Sequence, residues 1–176
     1  TFQYDSRGRL TRTDYPDDTY ETLSYNHSQN TVTKRNRAGY IQVEAYDGLG
    51  NLVSVTESGS NTVLETRTYD SLGRLLTVSN AGELGTSHTQ NYAYDVLGRV
   101  ISLYTYDKDN VMLAGETYSY DVVSLNGTTP CQKTVKTVVG DSDAPSSVTA
   151  EYTDRYGRTI RTARILNGTE LAKSFT

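Results

Sequence analysis

The amino-acid sequence predicts an all-β protein of tandem antiparallel hairpins stacked side by side into a curved sheet. Three observations carry that reading. A seven-residue Tyr-Asp motif recurs along the chain, turn-forming residues punctuate it at short intervals, and the runs between them are rich in Thr, Val, Leu and Tyr.

The motif comes first because it sets the architecture. Four segments align without gaps: Tyr4-Asp5-Ser6-Arg7-Gly8-Arg9-Leu10, Tyr46-Asp47-Gly48-Leu49-Gly50-Asn51-Leu52, Tyr69-Asp70-Ser71-Leu72-Gly73-Arg74-Leu75 and Tyr94-Asp95-Val96-Leu97-Gly98-Arg99-Val100. Looser copies stand at Tyr25-Asn26, at Tyr120-Asp121 and at Thr153-Asp154-Arg155-Tyr156-Gly157-Arg158, where the aromatic has moved one place back to Tyr152. The period is about 21–25 residues, a repeat length that implies stacked supersecondary units.

Each part of the motif has a physical reason. Asp at the first position and Gly at the fourth mark a type I turn, and a following left-handed residue makes a three-residue hairpin loop. Asp can accept the N–H two residues on, and Gly takes positive φ without a Cβ clash. That register sets Asp70 against Arg74 and Tyr69 against Leu75, with Asp5 by Arg9, Asp95 by Arg99, Tyr4 by Leu10 and Tyr94 by Val100. The ionic pair and the aromatic–aliphatic pair then fall on opposite faces. Cross-strand pairs of this kind contribute roughly 0.2–1 kcal/mol each. An exposed Asp–Arg pair lies at the low end and also keeps the outer face soluble.

The remaining elements follow in order. Tyr15-Pro16-Asp17-Asp18-Thr19 places Pro where a type I turn takes it. Ser58-Gly59-Ser60-Asn61, Asn80-Ala81-Gly82 and Asp107-Lys108-Asp109-Asn110 read as turns, and Asn126-Gly127 and Asn167-Gly168 as two-residue hairpin loops. Leu52 to Thr56, Leu75 to Val78 and Thr134 to Val139 read as strands. No segment reads as a helix: Thr162 to Lys173 comes nearest, and Asn167-Gly168 divides it. Gly140 to Ser147 reads as a loop. The whole of 1–176 is one repeat segment, strict over about 2–104 and degenerate over about 105–176.

Composition narrows the function. The 176 residues are 35% hydrophobic, with 15 Tyr and no Trp. Tyr is apolar along its ring and wet at its tip, which suits a thin, half-exposed sheet. A net charge of −4 argues against a nucleic-acid partner. Lys34-Arg35-Asn36-Arg37 reads as a solvated turn. No apolar run reaches the length of a membrane span.

Catalytic chemistry finds little support. His27 and His88 are scattered among polar, turn-prone residues, and one Cys, Cys131, offers no metal-ligand spacing. No cofactor is implied. Asp141 and Asp143 form the nearest local carboxylate pair, equally explained by a loop. Asn26-His27-Ser28, Asn126-Gly127-Thr128 and Asn167-Gly168-Thr169 fit the glycosylation pattern, which matters only in a eukaryotic secreted chain. One hairpin cannot bury a face alone, so the repeats must stack. The unpaired end strands, and a start inside a repeat, lead to the expectation of a longer natural protein.

The Tyr-Asp-x-Leu-Gly-Arg-Leu pattern resembles the YD repeat of the rearrangement-hotspot (Rhs) family, which includes bacterial toxins, toxin-complex components and surface proteins. Tyr15-Pro16-Asp17-Asp18 resembles that family's Tyr-Pro-Asp-Gly turn, with Asp18 in place of Gly. The resemblance implies a spiral, shell-like strip of β-sheet enclosing a toxic cargo, in a secreted or surface-bound bacterial protein. Its implied partners are the rest of its own shell, the cargo segment and other toxin-complex subunits. The family's self-cleaving protease core matches no stretch of this chain, so no catalytic residue is implied. The alternative is an adhesion module, with Tyr rings beside Asp, Asn and Arg binding surface glycans.

Overall fold

The computed structural model describes residues 1–81, 87–125, 129–140 and 147–175. The described residues are all-β, with fifteen strands and no helix. The expected turn at Asn126-Gly127, the Asp141–Asp143 pair, Gly82 and most of the loop from Gly140 to Ser147 lie outside them.

Backbone proximity divides the chain into two compact units, Thr1–His88 and Thr89–Thr176. The first holds β1 (Phe2–Tyr4), β2 (Leu10–Asp14), β3 (Tyr20–Asn26), β4 (Thr31–Arg35), β5 (Ile41–Tyr46), β6 (Leu52–Glu57), β7 (Val63–Tyr69) and β8 (Leu75–Asn80). They lie side by side in chain order, and every pair is antiparallel. The second holds β9 (His88–Tyr94, starting on the boundary residue), β10 (Val100–Asp107), β11 (Met112–Leu125), β12 (Thr129–Val139), β13 (Ser147–Thr153), β14 (Thr159–Leu166) and β15 (Thr169–Phe175), again in chain order.

Strand alternation sorts side chains onto two faces. In the first unit one cross-strand row runs Thr31, Ala45, Ser54, Thr66, Ser79, all small. The adjoining row, on the opposite face, runs Val32, Glu44, Val55, Glu65, Asn80. A sheet one layer thick buries little. Among the described residues the buried side chains are Val78 and Glu44 in the first unit and Cys131, Ala150, Tyr152 and Ala163 in the second. Val123, Val135, Ile160 and Ile165 pack against the cluster of Cys131, Ala150 and Tyr152.

Asn167 and Gly168 both take positive φ (51° and 77°) between the paired residues Leu166 and Thr169, the two-residue loop expected there. The stretch from Thr162 to Lys173 is accordingly two strands.

Candidate functional site

The repeat motif is the recurring station of this chain, and one loop geometry underlies it. In the Asp70 loop the Gly73 N–H donates to the Asp70 carbonyl at 3.0 Å, and the Asp70 N–H donates to the Arg74 carbonyl at 2.9 Å. Gly73 sits at φ 76°, the left-handed position that closes a type I turn with a bulge. The register slips between Thr68 and Tyr69, leaving Tyr69 opposite Leu75 as expected. Eight described loops share both hydrogen bonds, starting at Asp5, Tyr15, Asn36, Asp47, Asp70, Asp95, Asp107 and Asp154. Gly8, Gly50, Gly98 and Gly157 hold the same left-handed place.

The aspartate carboxylate is divided between two tasks. Asp70 Oδ1 accepts from the N–H of Leu72 and of Arg74, both at 2.9 Å, and Oδ2 accepts from Arg74 Nε at 2.6 Å. Asp5 with Arg9, Asp95 with Arg99 and Asp154 with Arg158 repeat the arrangement. At Asp47 the amide of Asn51 replaces the guanidinium at 2.9 Å.

These contacts hold the carboxyls below their ordinary value. At Asp5 and Asp70 the chief cause is the backbone N–H of the arginine four residues on. At Asp47 and Asp154 it is the side chain of Asn51 or Arg158. At Asp95 desolvation opposes the shift, and the Arg99 contacts outweigh it. A carboxyl depressed on folding contributes stability above its unfolded value, lost as pH falls through the folded one. Thermal stability is therefore expected to hold from neutrality to about pH 5 and to fall below about pH 4. Asp70→Asn should lower the midpoint at pH 7 and narrow its drop between pH 7 and pH 3, measured by circular dichroism. An unchanged drop would remove Asp70 from that account.

The tyrosine does more than pair across its own hairpin. Tyr25 Oη donates to the carbonyl of Leu10 at 3.0 Å, Tyr69 Oη to that of Leu52 at 2.8 Å and Tyr120 Oη to that of Val100 at 2.7 Å. Each acceptor follows the Arg or Asn of the preceding motif. In these places the ladder stops short: β2 and β3 pair no further than Arg12–Thr22, β6 and β7 no further than Ser54–Thr66, and β10 and β11 no further than Ser102–Thr117. The tyrosine spans the opening. Arg9 and Arg99 then cover the rings of Tyr25 and Tyr120 at 4.0 and 4.2 Å. The motif arginine thus bridges its own Asp and the next aromatic, beyond the outward ionic role expected of it.

Two copies are corrected or added. Tyr120-Asp121 lies inside the 14-residue strand β11, with Asp121 opposite Lys133, so this copy keeps the tyrosine and not the aspartate turn. Tyr106-Asp107-Lys108-Asp109-Asn110-Val111-Met112, read as a plain turn, is a full copy of the loop. Asn110 at φ 62° replaces Gly, and Tyr106 stands opposite Met112. The Tyr-Asp pair was its signal, with Asn as the residue that next best tolerates the left-handed region.

A second polar theme repeats on the strands. Glu44 is buried and meets Lys34 Nζ at 2.6 Å and the Tyr46 hydroxyl. Burial by itself would raise its carboxyl, but Lys34 and Tyr46 outweigh that and hold it low. Desolvation and the Glu44 hydrogen bond push Tyr46 up to about 12. Glu116, Lys136 and Tyr118 repeat the trio. Of the basic run, Lys34 pairs with Glu44, Arg35 lies over Tyr20 at 4.2 Å, and Arg37 pairs with Asp17 and covers Tyr15.

Cys131 is a buried thiol of the second unit's core. No cluster of three or more His, Cys, Asp or Glu among the described residues is arranged to hold a metal ion.

Comparison with known proteins agrees with the motif. No curated protein matches the chain. Among solved structures it resembles "Crystal Structure of TcdB2-TccC3-Cdc42", with a TM-score of 0.52 and 14% identity, over 93% of this chain and 11% of that one. The chain therefore spans about a tenth of that neighbour, and the likeness is one of fold. Residues 46–83, from Tyr46-Asp47 through the Tyr69 motif and β8, match the family model of the RHS repeat. The loop geometry found at both motifs agrees with that match to the RHS repeat, the Tyr-Asp repeat that the sequence resembles.

Proposed function

We propose that this chain is a non-catalytic structural segment of a larger secreted or surface-bound bacterial toxin, forming part of a curved β-sheet shell around a toxic cargo. One observation carries the reading: the motif side chains are engaged in building the sheet. Asp closes the loop, Arg joins Asp to an aromatic ring, and the Tyr hydroxyl ties one repeat to the backbone of the one before. The RHS match and the fold shared with a chain of the TcdB2-TccC3-Cdc42 structure support it. Its partners in this reading are the remaining shell, the enclosed segment and further toxin-complex subunits.

Limited proteolysis of the full-length protein tests the proposal. The enclosed segment should resist digestion while the repeat region is intact and become sensitive once that region is deleted. Equal digestion in the two cases overturns it.

A further inference from the structure

At its loop end the first hairpin is held to the next strand by side chains. The β2–β3 ladder pairs Asp14 with Tyr20, Thr13 with Glu21 and Arg12 with Thr22, and goes no further towards the Asp5 loop. Beyond it the Tyr25 hydroxyl donates to the Leu10 carbonyl, and Arg9 covers the Tyr25 ring. His27, one residue past β3, supplies the outermost contact: Arg7 Nη1 lies 2.7 Å and Arg9 Nη1 2.8 Å from its Nε2. Arginine carries five donors and no acceptor, so Nε2 must be the acceptor in both contacts. The ring is then neutral, with its proton on Nδ1. Protonation of Nε2 removes its one lone pair and sets a charged donor against two guanidinium groups.

Both partners of this contact depart from the repeat. The ladder openings spanned by Tyr69 and Tyr120 follow loops tipped by Leu49 and Leu97, and the residues two places beyond those tyrosines are Ser71 and Val122. Arg7 and His27 hold the corresponding places here, and they meet. The loop itself needs neither, since Asp5, Gly8 and Arg9 close it. The surrounding carboxylates are engaged elsewhere. Asp5 pairs with Arg9 at 2.6 Å. Asp47, across the cleft that His27 lines, is held by the N–H groups of Leu49 and Asn51 and by the Asn51 amide. Tyr46, on the same cleft, gives its hydroxyl to Glu44. Arg7 forms no ion pair among the described residues.

We propose that His27 is a proton-operated latch: neutral, it holds the first hairpin loop to the end of β3, and its protonation releases that loop. The latch is local to the first unit and stands apart from the shell reading, since it needs no enclosed cargo. Histidine changes charge between about pH 5 and pH 8, whereas the loop aspartates lose their contribution below about pH 4, so mild acid isolates the latch. Hydrogen–deuterium exchange of the full-length protein, corrected for the intrinsic pH dependence of amide exchange, tests it. Peptides covering residues 2–14 should lose protection about threefold or more between about pH 7.5 and about pH 5.5, while peptides of β12 keep theirs. His27→Gln offers an amide oxygen with two lone pairs and no titration, and should stay protected at both values. His27→Lys carries a fixed charge and should be unprotected at both. The proposal is overturned if the wild-type loop is equally protected at the two values, if β12 loses as much protection as the loop, if His27→Gln shows the wild-type drop, or if His27→Lys matches the wild type at the higher pH.

Discussion

Truncation of Tyr152 to alanine is expected to destabilise the second unit by roughly 3–5 kcal/mol, the cost typical of removing a buried aromatic side chain. Tyr152 is 4% exposed in a sheet that buries few side chains, and it packs with Cys131 and Ala150. Its loss removes the largest member of that cluster. It also strips support from charged neighbours: Arg161 lies over the ring at 4.7 Å and Lys133 at 5.4 Å, and the hydroxyl donates to Glu170. Tyr152→Phe keeps the ring and should cost about 1 kcal/mol, because Glu170 retains Arg161 and Lys133 as partners. Thermal denaturation monitored by circular dichroism separates the two. For a unit of this size 1 kcal/mol corresponds to a shift of about 4–8 °C in midpoint. Equal losses in the two variants would assign the effect to the hydroxyl and refute the packing account.

The features that were legible in the sequence are those fixed by local chemistry. Asp70, Gly73, Arg74 and Leu75 stand where their turn preferences put them, because a three-residue loop sets its own register. Asn167-Gly168 likewise announces its loop. What depends on neighbouring strands was less visible. The Tyr69 hydroxyl reaches the Leu52 carbonyl 17 residues back, a contact made by the opening of the β6–β7 ladder and not by anything local to Tyr69. Tyr120-Asp121 resembles a turn and is strand, because its pairing with Lys133 and Thr134 continues the long β11–β12 ladder. Convergence of Arg7 and Arg9 on His27 joins residues about twenty apart, through the stacking of two hairpins. No spacing in the sequence encodes it.

Gly115 shows the same limit and yields the sharper test. It lies within β11, where glycine ordinarily weakens a strand, so alanine there would be expected to stabilise by about 0.5–1 kcal/mol on backbone entropy. The structure reverses that sign. Gly115 faces Tyr104 across the β10–β11 pair, and a Cβ at Gly115 would stand 2.5 and 2.6 Å from Cδ1 and Cε1 of the ring. The ring covers the glycine, and the Tyr106 ring, centred 6.3 Å away, stands beside it. Gly115→Ala is therefore expected to cost about 1–3 kcal/mol, the usual penalty for forcing an extra carbon into a packed site. In a Tyr104→Ala background the obstruction is gone, and the same substitution should become neutral or stabilising. The double-mutant cycle, read from urea midpoints, should give a coupling well outside the few tenths of a kcal/mol seen for independent sites. A Gly115→Ala effect of the same size and sign in both backgrounds would show that the Tyr104 ring does not hold this position closed.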